Sequence, residues 1–459
     1  MNKVLAIAAI AIRNAIRSRI VIMLLAALLL SIVGIPLTVK GDGTMAGYVQ
    51  VLLRYTIGFA SIILSLATIW AGCAAVSLEI QDRTLQLVVT KPVHRWQVWL
   101  GKWLGLVAMN AVLLAFCAAV SYGLLRWTTR PERLDEQQVT VLHDEILTAR
   151  QEIIPARIDV EDEALARLAE IKASGELPPE APESEVLEAV RRGLLRQYYS
   201  VPPGAIREWV FEYPAALEGN EPVLFRYRVS ASQMNFEKIK GTWRVGREDN
   251  PKRYDIAKES VPSTPDSFLV PAEALAGGGN IIVEYVNDND RPITAVFNPD
   301  DGLRMLVYAG SFAANFTRAF LVLFFQLMFL SAIGVTMGSL FSMPVASFAA
   351  FCLLLFTQAS GYIKTVAEEA IVFHTHTHGG PPPEPGFWDA FFRAIFKVLN
   401  VVVAPLRGPN PLDLLADGRL IMWAWVGNVF VIKVILYSGL LALFSAWVLN
   451  RREVALPGT

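Results

Sequence analysis

The sequence predicts a polytopic α-helical membrane protein with six spans and a large extracytoplasmic α+β insert that ends in a β-sandwich-like part. Three observations lead to this fold class. Apolar residues make up 54% of the 459 residues, and the mean hydropathy is +0.41, both typical of membrane proteins. Apolar segments of membrane-spanning length lie near both ends of the chain. Between them, from about residue 128 to residue 304, no apolar run of that length occurs.

Residues 1–127 are predicted to hold an interfacial helix and the first three spans. Apolar residues recur at helical spacing from Val4 to Ala15, between basic residues, which favours a helix that lies in the inner membrane surface. The alternative is that this segment is the start of the first span. About 20 apolar residues are needed to cross the hydrocarbon core. The three spans are predicted at residues 20–39, 55–76 and 103–125.

Residues 128–310 are predicted to form the extracytoplasmic domain, helical over 134–200 and β-rich over 205–307. In the helical part, apolar residues share one helix face at Ala164, Leu165, Leu168 and Ile171. In the β-rich part, short runs of β-branched and aromatic residues are separated by Gly, Asp, Asn and Pro. These runs lie at residues 223–229, 242–245, 280–285 and 293–297. Several short strands in series favour an antiparallel sandwich.

Residues 311–459 are predicted to hold three further spans and an outer interfacial segment at residues 364–420. The spans are predicted at residues 319–340, 345–362 and 429–449. Within the outer segment, Asp389, Arg393 and Lys397 follow one another at intervals of four residues along an otherwise apolar stretch. This pattern is typical of a helix that lies in the membrane surface. The alternative is a re-entrant element that lines an exit path.

Basic residues predict the orientation of the spans. Lys and Arg concentrate before the first span, between the second and third spans, and after the sixth span, which are all on one side of a six-span protein. By the positive-inside rule, both termini are cytoplasmic in a multi-pass protein of the cell membrane, and the insert is extracytoplasmic. The lipid bilayer is the first expected partner. A net charge of −1 gives no support for binding to nucleic acid.

The loop at residues 78–102 carries the functional prediction. It contains a Glu, then Thr-Leu, then Pro-x-x-Arg, then Gly-Lys just before the next span. The loop resembles the cytoplasmic loop of ABC-2 type permeases, and it is similar to that of the permease of the nitrous oxide reductase maturation system. The matching residues are Glu79, Thr84, Leu85, Pro92, Arg95, Gly101 and Lys102. Arg83 stands where the family has glycine, which predicts a different local turn there.

The resemblance implies the membrane-spanning permease subunit of an ABC-2 type export system. Such a subunit couples ATP hydrolysis on a separate ATPase chain to substrate export or to mechanical signalling across the membrane. No phosphate-binding loop of the form G-x-x-x-x-G-K-[ST] occurs in the sequence. We therefore expect no enzymatic activity and no cofactor on this chain, with ATP and Mg on the partner subunit. The resemblance further implies a second permease subunit, in a homodimer or a heterodimer.

The residues of the loop themselves favour docking of a partner. A short helix ending before Pro92 would present Leu85 on an apolar face, since proline cannot continue a helix. Glu79, Arg83 and Arg95 would pair with charges on the ATPase and set its register. The alternative is an ordinary basic loop that obeys the positive-inside rule. The functional alternative for the whole chain is a membrane-anchored extracytoplasmic binding or sensory protein without transport.

Two further features, the histidines at residues 374–378 and Lys433, have both a functional and a structural interpretation. Alternating His374, His376 and His378 would point to one side of an extended strand and form a candidate Zn or Cu site, or they belong to a polar outer loop. Lys433, in the sixth predicted span, is a candidate for the substrate path or a lysine that reaches the membrane surface. The cysteines all fall in apolar runs, which argues against a disulfide framework.

Overall fold

The computed structural model describes most of the chain. The described residues are 3–17, 20–38, 45–82, 93–130, 135, 139, 142–156, 158–174, 183–214, 219–232, 237–250, 252–277, 279–289, 292–299, 302–358, 387–403 and 410–451. The chain forms two compact units. One unit, which is helical, consists of Met1–Ile146 together with Phe312–Thr459, and the other, which is β-rich, is Leu147–Ser311.

The helices fall in both units. Along the chain they are α1 (Lys3–Arg17), α2 (Ile20–Thr38), α3 (Met45–Val51), α4 (Ile57–Gln81), α5 (Arg95–Thr128), α6 (Glu161–Ser174), α7 (Glu183–Tyr198), α8 (Phe312–Leu340), α9 (Met343–Gln358), α10 (Phe387–Val403), α11 (Pro411–Ala416), α12 (Trp423–Val429) and α13 (Ser438–Arg451). A π-helical turn, Leu52–Thr56, joins α3 to α4, and a longer one, Phe430–Tyr437, joins α12 to α13. A third π-helical turn is Leu142–Ile146.

Four helices of the described residues are long and apolar enough to cross a membrane, judged by length and composition. They are Gly47–Gln81, Arg95–Thr128, Phe312–Leu340 and Trp423–Arg451. They correspond to the second, third, fourth and sixth predicted spans. The first and fifth predicted spans correspond to α2, with 19 residues, and α9, with 16 residues. Because a crossing takes about 20 residues, the six-span arrangement stays a prediction.

Glycines let two of the long helices approach closely. A Cβ atom at Gly72 of α4 would lie 2.9 Å from the Cα atom of Gly334 in α8. One turn further along α8, a Cβ atom at Gly338 would overlap the backbone oxygen of Cys73. Small residues at such contacts bring helix backbones together in apolar surroundings, where packing rather than water exclusion drives association. The α4–α8 pair therefore forms a tight unit within the helical bundle.

The described residues of the β-rich unit form ten strands, the helices α6 and α7, and a short 3-10 turn, Ala272–Ala274. The strands are β1 (Thr148–Ile153), β2 (Ser200–Val201), β3 (Ile206–Tyr213), β4 (Val223–Ala231), β5 (Ile239–Arg247), β6 (Tyr254–Ser260), β7 (Pro265–Val270), β8 (Gly279–Asn287), β9 (Ala295–Phe297) and β10 (Leu303–Ser311). One sheet has the order β1-β10-β4-β9-β2, with β7 also paired to β4. The other has the order β3-β8-β5-β6. All the pairings are antiparallel.

Aromatic side chains from the two sheets meet in one core. Trp243 of β5 is fully buried, and its ring centroid lies 4.6 Å from that of Tyr227 of β4 in the other sheet. Trp209 of β3 meets Phe297 of β9 edge-to-face at 5.0 Å. Such pairs add to the apolar area that the sheets bury. The unit is therefore a sandwich of two antiparallel sheets, and the predicted runs at 223–229, 242–245 and 280–285 lie within β4, β5 and β8.

One strand lies where the sequence predicts helix. Residues 148–153, inside the segment 134–200 predicted as helical, form β1 and pair with β10 from Thr148↔Ser311 to Ile153↔Met305. Only two of these six residues are β-branched, so their local propensity for a strand is low. Pairing with a distant strand overrides this local propensity. Arg150 lies fully buried in this strand and donates a hydrogen bond of 2.7 Å to the backbone oxygen of Pro222. The β-rich unit also starts at Leu147 rather than at residue 128.

Candidate functional site

The loop that carries the functional prediction lies between α4 and α5. Helix α4 ends at Gln81, α5 begins at Arg95, and residues 83–92 between them lie outside the described residues. The predicted docking residues Arg83, Thr84, Leu85 and Pro92 therefore lie outside the described residues as well. The remaining predicted residues, Glu79, Arg95, Gly101 and Lys102, lie on the two helices that flank the loop. Together they form the base of the loop.

A buried ion pair joins the two flanking helices. The Nζ atom of Lys102 in α5 lies 2.6 Å from an oxygen of Glu79 in α4. The same ammonium group donates a hydrogen bond of 2.6 Å to the backbone oxygen of Ala75. The Lys102 side chain is 6% exposed and the Glu79 side chain 29% exposed, so the lysine is almost fully enclosed. The pair, hereafter the Glu79–Lys102 clamp, fixes the two ends of the loop to each other.

The start of α5 is held by local hydrogen bonds. The Gln97 side chain accepts a hydrogen bond of 3.1 Å from the backbone N–H of His94, which satisfies one of the donors that a helix start leaves free. His94 is exposed, and Arg95, the first residue of the helix, is half-buried. Arg95, which follows the loop, therefore lies at a helix start that local hydrogen bonding holds in position. In the sequence, Arg95 follows residues 83–92 closely.

Glycine at position 101 serves the packing of α1 onto α5. A Cβ atom at Gly101 would lie 2.7 Å from the Cβ atom of Ile7 and 3.0 Å from the backbone oxygen of Val4. One turn further, a Cβ atom at Gly105 would lie 2.8 Å from that of Ala11. Distances under about 3 Å are too short for two carbon atoms in contact, since their optimum is near 3.5–4.0 Å. The two glycines therefore form a groove that holds the amino-terminal helix.

Indole groups join the same end of α5 to α8. The indole nitrogen of Trp99 donates a hydrogen bond of 3.2 Å to the hydroxyl of Thr336, and that of Trp103 donates one of 2.9 Å to the backbone oxygen of Met328. Trp99 and Trp103 also stack on each other, with ring centroids 5.9 Å apart. The helix that follows the loop is thus attached to α1, α4 and α8.

A second polar contact ties α4, α5 and α8 together further along the bundle. The Thr68 hydroxyl donates to the Asn110 side-chain oxygen at 3.0 Å, and the Asn110 amide nitrogen donates to the Ser331 hydroxyl at 3.2 Å. All three side chains are buried. In apolar surroundings such contacts each contribute about 0.5–2 kcal/mol to helix association. None of these residues belongs to the sites predicted from the sequence, where the available signal was Asn110, a lone amide in an apolar helix.

Lys433 lies in the π-helical turn between α12 and α13, and it is 5% exposed. Protein therefore encloses its side chain, whereas a lysine that reaches the membrane surface would extend from the helix. Ser438 donates a hydrogen bond of 2.9 Å to the backbone oxygen of Lys433, which occupies a carbonyl in this irregular segment. π-helical segments often lie at functional sites. The suggested place of Lys433 on a substrate path stays a prediction.

The candidate metal ligands His374, His376 and His378 lie outside the described residues. Among the residues that the structure describes, no group of three or more His, Cys, Asp or Glu side chains is arranged to hold a metal ion. The metal site therefore stays a prediction. The sulfur atoms of Cys73, Cys117 and Cys352 form no disulfide with one another, in line with their placement in apolar helices.

Residues 5–128 match the family model described as ABC-2 family transporter protein. The matched range includes α2, α3, α4 and α5, nearly all of α1, and all of the residues at the base of the loop. None of the curated proteins and none of the solved structures matches this chain, so the similarity to the nitrous oxide reductase maturation system stays a prediction. Residues 5–128 thus resemble an ABC-2 family transporter domain, and four helices of the described residues are long and apolar enough to cross a membrane.

Proposed function

We propose that the chain is the membrane-spanning permease subunit of an ABC-2 type export system and that a separate ATPase chain docks on the loop at residues 78–102. The family match supports this proposal, since ABC-2 permeases generally work with ABC ATPase partners. In this proposal, ATP and Mg are bound by the partner. The loop and both chain termini are cytoplasmic, and the β-rich unit is extracytoplasmic. The partner then hydrolyses ATP, and the helices of this chain move in response.

The Glu79–Lys102 clamp is the observation that supports this function most strongly. Removing one partner of a buried ion pair typically costs about 3–5 kcal/mol, because the other charge is left without compensation. Glu79 is partly exposed, so the cost here lies near the lower end of that range. A clamp of this strength keeps the ends of α4 and α5 together when a partner displaces the loop. The two helices then move as one body instead of spreading apart.

The contacts of α5 extend this movement through the helical unit. The glycine groove at Gly101 and Gly105 carries α1 along with α5, and the indole hydrogen bonds carry α8. Helix α8 is itself packed on α4 at Gly72 and Gly334. A displacement at residues 83–92 therefore reaches four helices through direct contacts. Two such permease subunits, driven by two ATPase units, would open and close a path for substrate export or transmit the motion as a mechanical signal.

Co-purification with variant chains tests both docking and transmission. The full-length protein is isolated from its native membranes, and the bound polypeptides and their ATP hydrolysis are measured. We expect a bound ATPase chain with the wild type. The double variant Pro92→Ala, Arg95→Ala should lose it, because the docking element loses its helix stop and a charge. Lys102→Met should retain the bound ATPase but uncouple its hydrolysis from the substrate, since only the clamp is removed.

Arg126→Ala is the matched control, because Arg126 lies exposed at the opposite end of the same helix α5. It should bind and couple the ATPase as the wild type does. A preparation in which no ATPase chain accompanies the wild type would contradict the permease proposal. So would an equal loss of the ATPase in the Arg126→Ala variant, since the docking would then not depend on the loop.

A second candidate function is a membrane-anchored extracytoplasmic binding or sensory protein without transport. The compact β-rich unit with its own aromatic core favours this alternative, because a unit of this kind can recognise a ligand by itself. The two functions differ in their partners. A stable preparation that lacks any ATPase chain but responds to a ligand of the β-rich unit would favour the sensory function.

A further inference from the structure

A cleft opens in the β-rich unit where the end of α7 turns into β2 and β3. Its volume is about 310 Å³, at the lower end of the range for small-molecule sites. Residues from α6, α7, β2, β3 and the turn between the two strands line it. Gly204 makes that turn possible, since its φ of +75° lies in the left-handed region that favours glycine. Two opposite charges, on Glu163 and Arg207, line the same cleft.

The guanidinium group of Arg207 lies against two aromatic rings, and among the residues that the structure describes no acidic side chain pairs with it. Its central carbon lies 5.3 Å from the ring centroid of Tyr198 and 5.9 Å from that of Tyr199. Within the described part of the chain, the buried Nε atom of Arg207 has no hydrogen-bond partner. A buried donor without a partner costs free energy, so its presence in a cleft points to a ligand that satisfies it.

Glu163, the acidic residue of the cleft, is held apart from Arg207 by Tyr198. The Tyr198 hydroxyl donates a hydrogen bond of 2.8 Å to the carboxylate of Glu163, while the ring of the same tyrosine lies against Arg207. This hydrogen bond raises the pKa of Tyr198 above its ordinary value, so the hydroxyl stays protonated as a donor. Among the described residues, no cation pairs with Glu163. The tyrosine thus keeps a cation and an anion in one cleft without letting them neutralise each other.

The remaining walls of the cleft are mixed in character. Val201, Pro202, Ala205 and Ile206 supply apolar surface, and Ile206 is 57% exposed although it is a large apolar residue. Gln197 and Ser200 supply neutral polar groups. A cleft with apolar lining and two opposite charges fits a small molecule that has an apolar body and charged ends. It fits a hydrophilic polyanion poorly.

We propose that this cleft binds a small zwitterion of the amino acid or short peptide class. Its carboxylate would pair with Arg207, whose planar fork of donors matches a carboxylate with two parallel hydrogen bonds. Its ammonium group would pair with Glu163, and its side chain would cover Ile206. A phosphate dianion fits less well, because the carboxylate of Glu163 in the same cleft repels it. The proposal concerns the β-rich unit alone and does not depend on the ATPase partner.

Binding of four probes to the full-length purified protein, measured by isothermal titration calorimetry, tests the proposal. The probes are the dipeptide L-alanyl-L-leucine, its N-acetyl derivative, its carboxyl-terminal amide, and inorganic phosphate. We expect the dipeptide to bind with a dissociation constant below about 1 mM and more tightly than the other three. Arg207→Gln should weaken binding of the dipeptide and of the N-acetyl derivative roughly tenfold or more, because charge-assisted hydrogen bonds are lost. The affinity of Arg207→Lys for the dipeptide should fall between those of the wild type and Arg207→Gln, since lysine keeps the charge but lacks the planar fork of donors.

Glu163→Gln should weaken the dipeptide and the amide, and leave the N-acetyl derivative unchanged or bound more tightly. Glutamine keeps an oxygen that accepts from the Tyr198 hydroxyl, so α6 and α7 stay joined. Arg196→Gln and Glu208→Gln are the controls, because both residues are exposed near the cleft without lining it. Melting curves identify any variant that fails to fold. The proposal is overturned if phosphate or the N-acetyl derivative binds at least as tightly as the dipeptide, if no probe binds below about 1 mM, or if the controls weaken binding equally.

Discussion

Gly101 and Lys102 show how residues of a predicted docking motif can serve the interior of the protein. In the sequence, both belong to the pattern of a docking loop. In the structure, both have partners within the chain, since Gly101 lies under Ile7 of α1 and Lys102 pairs with Glu79 of α4. Their spacing before the next span is therefore set by helix packing. In the proposed function, Pro92 and Arg95 dock the partner, and Gly101 and Lys102 transmit the motion of that partner.

Gly101→Ala should destabilise the helical unit, and Gly123→Ala should not. The added methyl group at position 101 overlaps Ile7, and such overpacking costs about 1–3 kcal/mol. Gly123 lies on the same helix α5, but a Cβ atom there meets nothing within 4 Å. In a helix interior, glycine is less favourable than alanine by about 0.5–1 kcal/mol, so Gly123→Ala should be neutral or stabilising. Thermal unfolding in detergent measures both. Equal melting temperatures for the two variants would show that α1 does not depend on this groove.

For single residues, the sequence predicts which residue types matter better than it predicts which residues they contact. The motif located Glu79, Gly101 and Lys102, but it did not indicate that Glu79 and Lys102 pair with each other. Asn110 and Trp99 were not singled out, because their partners Ser331 and Thr336 lie more than 200 residues away in the chain. Contacts of this range depend on helix packing. A hydropathy pattern identifies a span and does not identify its neighbours.

Helix α1 is attached to α5 along its length instead of being only a surface anchor. Its apolar residues Val4 and Ala8 are buried, whereas Leu5 is 58% exposed, so one face meets protein and the other is free for lipid. The 3.6-residue period predicted such an amphipathic helix. Which element covers its buried face is not encoded in that period. The glycines of α5, four residues apart, were the available signal.

The contact between α4 and α8 gives a prediction for the pair. Gly334→Leu should force these helices apart, since a Cβ atom there lies 3.0 Å from the Cα atom of Gly72. Cys73, which is fully buried next to this contact, should then react with maleimide roughly tenfold faster or more, as expected from an overpacking cost of about 1–3 kcal/mol. The measurement uses a chain in which Cys117 and Cys352 are replaced by serine.

Gly427→Leu is the control for this experiment, because Gly427 is exposed in α12 and a Cβ atom there meets nothing within 4 Å. Its Cys73 should react as slowly as that of the parent chain. Unchanged Cys73 reactivity in Gly334→Leu would mean that the two helices tolerate a large residue at their contact. The pair would then not be the tight unit described above.

The strands also show which parts of the fold a local sequence pattern predicts and which it does not. Runs rich in β-branched and aromatic residues predicted three strands that lie within β4, β5 and β8, because these residues pack well on a half-buried pleated surface. The fourth predicted run, 293–297, contains β9. Strand β1 was missed, and its segment was predicted as helical. Its six residues, with Arg150 and Gln151 in the middle, gain their structure from pairing with β10. That partner lies about 150 residues further along the chain, and no local pattern points to it.

On the scale of the whole molecule, the β-rich unit has the character of an inserted domain. Its first and last strands, β1 and β10, pair with each other, and Thr148 lies opposite Ser311. The chain thus enters and leaves the unit at neighbouring points, as expected of a domain placed within another. The sequence predicted such an insert from the loss of membrane-length apolar runs. The predicted extracytoplasmic domain starts at residue 128, whereas the compact unit begins at Leu147, because polar composition alone does not mark where a fold begins.

The segment Leu147–Ser311, expressed alone, should fold and unfold cooperatively. All of the aromatic core around Trp243 lies within it. In this fragment, Trp243→Ala should lower the free energy of unfolding by about 3–5 kcal/mol, whereas Val261→Ala, at a 51% exposed position, should change it by less than about 0.5 kcal/mol. Chemical denaturation followed by circular dichroism gives both values. A fragment without a cooperative transition would show that the unit needs the rest of the chain.

Crosslinking from the loop at residues 78–102 tests the proposed docking of an ATPase chain there. A photo-crosslinking amino acid is placed at Leu85 of the full-length protein in living cells, and the adduct is identified by mass spectrometry. We predict an adduct with a cytoplasmic polypeptide that carries a phosphate-binding loop of the form G-x-x-x-x-G-K-[ST]. Adducts with lipid alone, or labelling of the same position by a reagent confined to the outside of the cell, would contradict the claim.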